Sequence, residues 1–260
     1  MKKSMMLHSN LFKNVNRGFI MVAAVSGGLF LGGQQQASAA TTPAPVEINQ
    51  GFAHTTVGNT KKYVSLTFDD GPSPTLTPRL LKILKKYNVP ATFFEVGYNV
   101  KAHPATSRLV LKYGHTIGNH SWNHPDLAGM SMRSAKSQIS RTDKVIYKAT
   151  KTKPKYIRPP YGSITHAEIK AFNRPIIQWN VDSLDWSYLN AARTANHVVA
   201  TTHGRSIILM HDIHATSVAA VPSIIKRLRA KGYVFVSLDK QFNGNLKHGY
   251  QYFGYGDYRK

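Results

Sequence analysis

Two aspartates stand side by side, Asp69 and Asp70, in the stretch SLTFDDGPSP. The chain has only 12 Asp and Glu against 34 Lys and Arg, so adjacent acids stand out. Farther along, His120 and His124 lie four residues apart in GNHSWNHPD. Two imidazoles at that spacing can converge on one cation from a single turn, and one carboxylate completes a ligand set that leaves a position open for water. No glutamate follows His120, so this is not the HExxH helix of a zincin. Zinc is the default divalent ion, with cobalt or another divalent ion as alternatives, because such nitrogen and oxygen sets discriminate metals poorly. Only one of Asp69 and Asp70 is needed as a ligand, since successive side chains on a strand face opposite ways. A cation so held lowers the pKa of water towards about 7, and the second carboxylate can take the proton. Alone, DDGP reads as a capping turn before Gly-Pro; the histidine pair tips the reading to chemistry.

Three further groups follow apolar runs. His211 closes SIILMH, and Asp182 and Asp185 in DSLDW are both available to orient its imidazole. That arrangement suits a general acid. Arg158 precedes Pro159 and Pro160, which hold it in extended backbone and place it to grip a carboxylate.

The elements that must position these groups alternate between apolar strands and amphipathic helices. Strands are expected at Tyr63–Phe68, Ala91–Val96, Tyr156–Arg158, Ile176–Val181, Ser206–Met210 and Tyr233–Leu238, with a short segment at His115–Gly118. Helices are expected at Leu76–Tyr87, up to Tyr113, and over Ser131–Ala149, Asn190–Thr202 and Ser217–Ala230. Strands separated by such helices pair in parallel through crossovers. About seven strands with continuous apolar character predict an α/β fold that closes into a barrel, whose chemistry gathers at the C-terminal strand ends. Every candidate residue lies at that end of its element.

The ordered segments TFDDGPS, HSWNH, RPPYG, DSLDW and LMHD resemble the five motifs of the polysaccharide deacetylases, the NodB-homology domain of carbohydrate esterase family four. The resemblance runs from about Tyr63 to Leu238 and is strongest to Gram-positive peptidoglycan N-acetylglucosamine deacetylases. It implies a distorted (β/α) barrel, with Asp69 as general base, and Asp70, His120 and His124 as metal ligands. It further implies that Arg158 fixes Asp69, that Asp185 orients the acid His211, and that the backbone N–H of Tyr161 binds an oxyanion. Trp186 and Leu209 would wall a pocket for the acetyl methyl. The implied reaction is removal of N-acetyl groups from GlcNAc in peptidoglycan. The same site would serve poly-N-acetylglucosamine, chitooligosaccharide or acetyl-xylan. A non-catalytic wall-binding protein would need none of this constellation.

The rest of the chain bounds where such chemistry takes place. Lys2, Lys3, Lys13 and Arg17 precede the apolar stretch FIMVAAVSGGLFL, which is too short to span a bilayer, and Ala37-Ser38-Ala39 is a small-residue cleavage signature. Residues 1–39 are therefore expected to be a signal peptide, and removing their four cations and no acids takes the net charge from +22 to +18. No membrane span is expected after cleavage, and an extracellular, wall-associated location follows. A spacer over 40–60, a catalytic domain over 61–243 and a flexible Gly/Tyr-rich tail over 244–260 complete the expected organisation. The absence of cysteine excludes disulfides, thiolate zinc sites and cysteine nucleophiles. The positive charge predicts association with anionic wall polymers, and no zinc-finger or RNP-like pattern supports specific nucleic-acid binding.

Overall fold

The computed structural model describes residues 62–260. The expected signal peptide (1–39) and spacer (40–60) lie outside the described residues. The chain runs β1 (Lys62–Asp69), α1 (Leu76–Lys86), β2 (Ala91–Glu95), α2 (Gly97–Ala102), α3 (Pro104–Lys112), β3 (Thr116–Asn119) and α4 (Met132–Thr150). It continues through α5 (His166–Phe172), β4 (Ile176–Ile177), β5 (Val181–Asp182), α6 (Asp185–Tyr188), α7 (Ala191–Thr201) and β6 (Ser206–His211). Last come α8 (Ala215–Ala230), β7 (Tyr233–Phe235), α9 (Leu238–Gln241), β8 (Gln251–Gly254) and β9 (Asp257–Arg259). Among the described residues no helix is long and apolar enough to cross a membrane.

Alternation along β1 sets the layering. Val64, Leu66 and Phe68 point outwards into a large core shared with Leu80, Leu81 and Leu84 of α1, Val110 of α3 and the apolar face of α8. Ser65, Thr67 and Asp69 therefore point inwards, where they are buried but polar. A second core fills the interior below them, from Phe94, Tyr156, Ile177, Ile207, Leu238, Phe242 and Tyr252. The helices earn their positions by spacing: Thr77, Leu80, Leu81 and Leu84 make one buried stripe on α1, and Ala135, Ile139, Thr142 and Ile146 another on α4.

The sheet is mostly parallel and curled, in the order β3-β2-β1-β6-β8-β4, with β5 added to β6 and β7 to β1. Two isolated bridges bring its ends together, Asn119 with Ile157 and Ile157 with Ile176. This is the expected distorted α/β barrel. The register sets Asp69 beside His211 on β6 and beside Phe94 on β2, and Thr67 beside Leu209.

Three expectations are corrected. The strand foreseen over Ile176–Val181 is two short pieces, β4 and β5, and Tyr156–Arg158 contributes a single bridging residue. The segment 244–260 is not a loose tail. Its β8 pairs in parallel with β4 and antiparallel with β6, and β9 folds back on β8. Tyr252 is buried in the inner core against Phe242, with ring centroids 5.2 Å apart. β5 pairs directly with β6 at Ile208 and Leu209; earlier along both strands, β8 is inserted between β4 and β6. Gly254 ends that insertion at a close approach, since a Cβ there would lie 2.4 Å from Asn180 Nδ2.

Candidate active site

Asp69 is the last residue of β1, and Asp70 leaves the strand in the left-handed region at φ 73°. That turn carries the Asp70 carboxylate back to the same end of the barrel as Asp69, and strand alternation does not separate them. Both reach one imidazole nitrogen: His120 Nε2 lies 3.4 Å from Asp70 Oδ1 and 3.6 Å from Asp69 Oδ2. What distinguishes the two aspartates is their remaining partners. Arg158 Nη1 donates to Asp69 Oδ1 at 2.8 Å and to Thr67 Oγ1 at 2.7 Å. Asp70 instead faces His124, whose Nε2 is 3.4 Å from Oδ1.

Arg158 is wholly buried, and each nitrogen has an acceptor. Nε donates to the Ile177 carbonyl and Nη2 to the Gln178 carbonyl, both at 2.9 Å. The guanidinium also lies 4.2 Å from the centroid of the Phe94 ring. The Arg158 carbonyl in turn accepts from His120 Nδ1 at 2.7 Å. A carbonyl only accepts, so Nδ1 carries the proton and Nε2 is left free to bind a cation.

The loop holding the histidines is pinned from α4. Gln138 Oε1 accepts from the Trp122 and Asn123 backbone N–H groups at 2.8 and 3.3 Å. Asn119 Oδ1 accepts from Ser121 N, while Asn119 Nδ2 donates to Asp143. Ser121 and His124 both adopt positive φ, 66° and 60°, which turns the second imidazole back towards the first. The Asp70, His120 and His124 ligand atoms all lie within 4.8 Å of one another. Asp70 Oδ1 is buried and has no hydrogen-bond donor. Two free imidazole nitrogens and an unpartnered carboxylate oxygen fit a divalent cation with one position open.

Electrostatics agree with that use. Burial would raise Asp70, but the neighbouring imidazoles of His120, His124 and His211 hold it well below the usual carboxylate range. Burial and the charge of His120 lower His124, so its imidazole is neutral and able to ligate. His120 is raised by Asp69 and Asp70 against the effect of burial; a seated cation would take that proton's place.

On the other side, His211 Nδ1 is 2.7 Å from Asp185 Oδ1, and the His211 backbone N–H donates to Asp185 Oδ2 at 2.8 Å. Burial lowers His211, yet the Asp185 bond and charge, with Asp69 and Asp70, push it up to about 9. His211 Nε2 faces Asp70 Oδ2 at 4.0 Å. Of the two acids offered by DSLDW, Asp182 is used elsewhere, accepting from Leu184 N at 2.9 Å. Tyr161 stands in a tight turn over Pro160–Gly162 with φ 59°, 70% exposed, its ring edge-on to His124 at 4.6 Å. Trp186, 54% exposed, donates its backbone N–H to Asp185 Oδ1. Leu209 is buried on β6, two residues before His211 and on the same face.

Several residues around the site have no role in the sequence reading, although Asp212 stands there beside His211 at a strand end. Thr67, Asn119 and Gln138 support it as described; the polar inner stripe of β1 was the available signal for Thr67. Asp212 is buried beside the double-aspartate loop, held by Thr77, and burial pushes it up to about 7. A Cβ on Gly71 would lie 2.5 Å from Asp212 Oδ1, so only glycine fits there. Glu95, buried at the end of β2, accepts from Ser107 Oγ at 2.7 Å, and burial pushes it up to about 8.

The polysaccharide deacetylase family profile matches residues 56–174. The chain is 41% identical over 200 residues to the peptidoglycan-N-acetylglucosamine deacetylase PgdA of Listeria monocytogenes serotype 1/2a, covering 77% of this chain and 43% of that one. A peptidoglycan-N-acetylglucosamine deacetylase of Bacillus cereus is 39% identical over 189 residues, covering 70% of this chain and 69% of its own length. This chain belongs to the polysaccharide deacetylase family. The structure of a T48 deacetylase with substrate superposes with a TM-score of 0.72 at 39% identity, over 74% of this chain and 97% of the other. The sheet is thus that of the polysaccharide deacetylases, and the family's deacetylases use a divalent metal. The chain spans less than half the length of the Listeria relative.

Proposed function

We propose that the chain is a secreted, divalent-metal-dependent deacetylase that releases acetate from N-acetylglucosamine residues of peptidoglycan. The observation that carries the reading is the β1–β6 register. It sets Asp69, clamped by Arg158, abreast of His211, held by Asp185, with both bordering one Asp70–His120–His124 cluster. The names of the Listeria and Bacillus relatives support peptidoglycan as substrate. The basic, apolar and small-residue pattern of residues 1–39 supports export.

Asp70, His120 and His124 would hold the cation, zinc by default. When bound, it supplies Lewis acidity to the amide carbonyl and lowers the pKa of water. Asp69 accepts the proton of the attacking water, and Arg158 keeps the carboxylate aimed. As the water oxygen bonds to the carbonyl carbon, the Tyr161 backbone N–H donates to the developing oxyanion. His211 gives its proton to the nitrogen as the C–N bond breaks, leaving acetate and a free amine. Trp186 and Leu209 wall the acetyl methyl, and the exposed Tyr161 and Trp186 rings offer surfaces to the sugars.

The test is acetate release from purified peptidoglycan by the wild type, Asp69→Asn and His211→Ala. Variants at full rate would sink the assigned roles. Acetate from chitooligosaccharide or acetyl-xylan, with none from peptidoglycan, would move the substrate to another polymer.

A further inference from the structure

The helix that pins the histidine loop carries a second feature that the deacetylase chemistry does not use. Arg141, Lys144 and Lys148 project from α4 along one wall of a surface groove of about 570 Å³. Lys101 of α2 and Arg108 of α3 also line it, over apolar ground that includes Val100 and Val145. The lining holds five cations and no acid. Among the described residues, none of the five forms an ion pair with a carboxylate. Arg108 reaches only the Ala149 carbonyl, and Arg141 lies over the Trp122 ring at 4.2 Å. Five unbalanced positive groups repel one another, and an anion laid among them removes that repulsion.

We propose that this groove binds a segment of a linear, flexible polymer of phosphodiester-linked polyols. Arg141, Lys144 and Lys148 follow one another at three and four residues, so their roots rise by about 4.5 and about 6 Å along α4. A row of cations suits a repeating anion better than a single one. Guanidinium and ammonium groups are the usual phosphate binders. The groove is concave and carries cations on α2 and α3 as well as on α4, so a chain can be met from more than one side. A flat bilayer would touch only its rim. Nucleic acid is the poorer occupant because the lining has one aromatic ring, Trp122, and Arg141 already covers it. The bound polymer would hold the enzyme beside its glycan. Binding is read separately from acetate release, so this inference does not stand or fall with the deacetylase reading.

The experiment uses the full chain and fluorescein-labelled poly(glycerol phosphate), followed by anisotropy across a salt series. Lys101→Gln/Lys144→Gln/Lys148→Gln removes three groove charges. Lys82→Gln/Lys86→Gln/Lys226→Gln removes three exposed charges from α1 and α8 as the control. The groove variant is expected to lose at least about tenfold in affinity, with the salt slope reduced by about two. The control should stay within about twofold, and both should keep the wild-type unfolding midpoint. Equal losses in the two variants would reduce the effect to net charge and overturn the site. Failure of the wild type to bind the polymer saturably, tighter binding to phosphatidylglycerol vesicles, or preference for a single-stranded oligonucleotide would each overturn it too.

Discussion

Asp69 and Asp70 are neighbours in sequence with separate employers: a buried guanidinium holds the first, and two imidazoles face the second. Asp70→Ala should therefore lose bound metal, measured by elemental analysis after dialysis, together with turnover. Asp69→Asn should keep its metal and lose about 10²- to 10⁴-fold in kcat. As the proposed acid, His211 would work in its protonated form, so kcat should fall as pH rises through its pKa. That pKa is pushed up to about 9 without the metal, and a seated cation shifts the alkaline limb lower. Asp185→Asn removes the main group that opposes burial at His211, so the limb in a kcat–pH profile should move further towards acid. The candidate site was legible because each of these residues follows an apolar run at a strand end. Spacing alone left Asp182 and Asp185 open, because it gives no depth; the family resemblance pointed to Asp185, and the fold places that carboxylate on the imidazole. Thr67, Asn119 and Gln138 were hidden, since their partners lie away in sequence.

Among the elements, β1, β2 and β6 announced themselves through unbroken apolar runs, and α1 and α4 through helical spacing. β8 did not, because GYQYFGYGDY mixes glycine with tyrosine and shows no clean period. Its strand character comes from the neighbours it lies between, β4 and β6, and tertiary pairing overrides weak local preference. Tyr252→Ala should cost about 3 kcal/mol, in the range for emptying a buried aromatic site, read from urea unfolding. Deleting residues 249–260 should cost more, because it also leaves the facing edges of β4 and β6 unpaired. The division of the expected 176–181 strand has the same origin: its first part pairs with β8 and its last with β6.

Across the whole molecule, buried protons bias stability against alkaline pH. Burial holds Glu95 protonated to about 8, and Asp185 holds His211 protonated to about 9. The unfolded chain releases these protons near 4.5 and 6.5, so unfolding frees protons and raising the pH favours it. Glu95 loses its share between 4.5 and 8, and His211 between 6.5 and 9. Where they overlap, from 6.5 to 8, the stability of metal-free protein should fall more steeply with rising pH than either group alone would give. Glu95→Gln should make that slope shallower in urea unfolding with chelator present. His115 acts oppositely, since burial lowers it to about 4 and stability falls as pH drops from 6.5 towards that value. The inserted strand β8 has one more consequence, which concerns the order in which the chain is made. Ile176 N donates to the Tyr250 carbonyl and Gln178 N to the Tyr252 carbonyl. The Ile177 and Gln178 carbonyls in turn hold Arg158, and Arg158 holds Asp69. A ribosome that has reached residue 243 has thus delivered every residue proposed for the chemistry, but not the strand that braces the acceptors of Arg158. The site stays unbraced until that strand has emerged and paired.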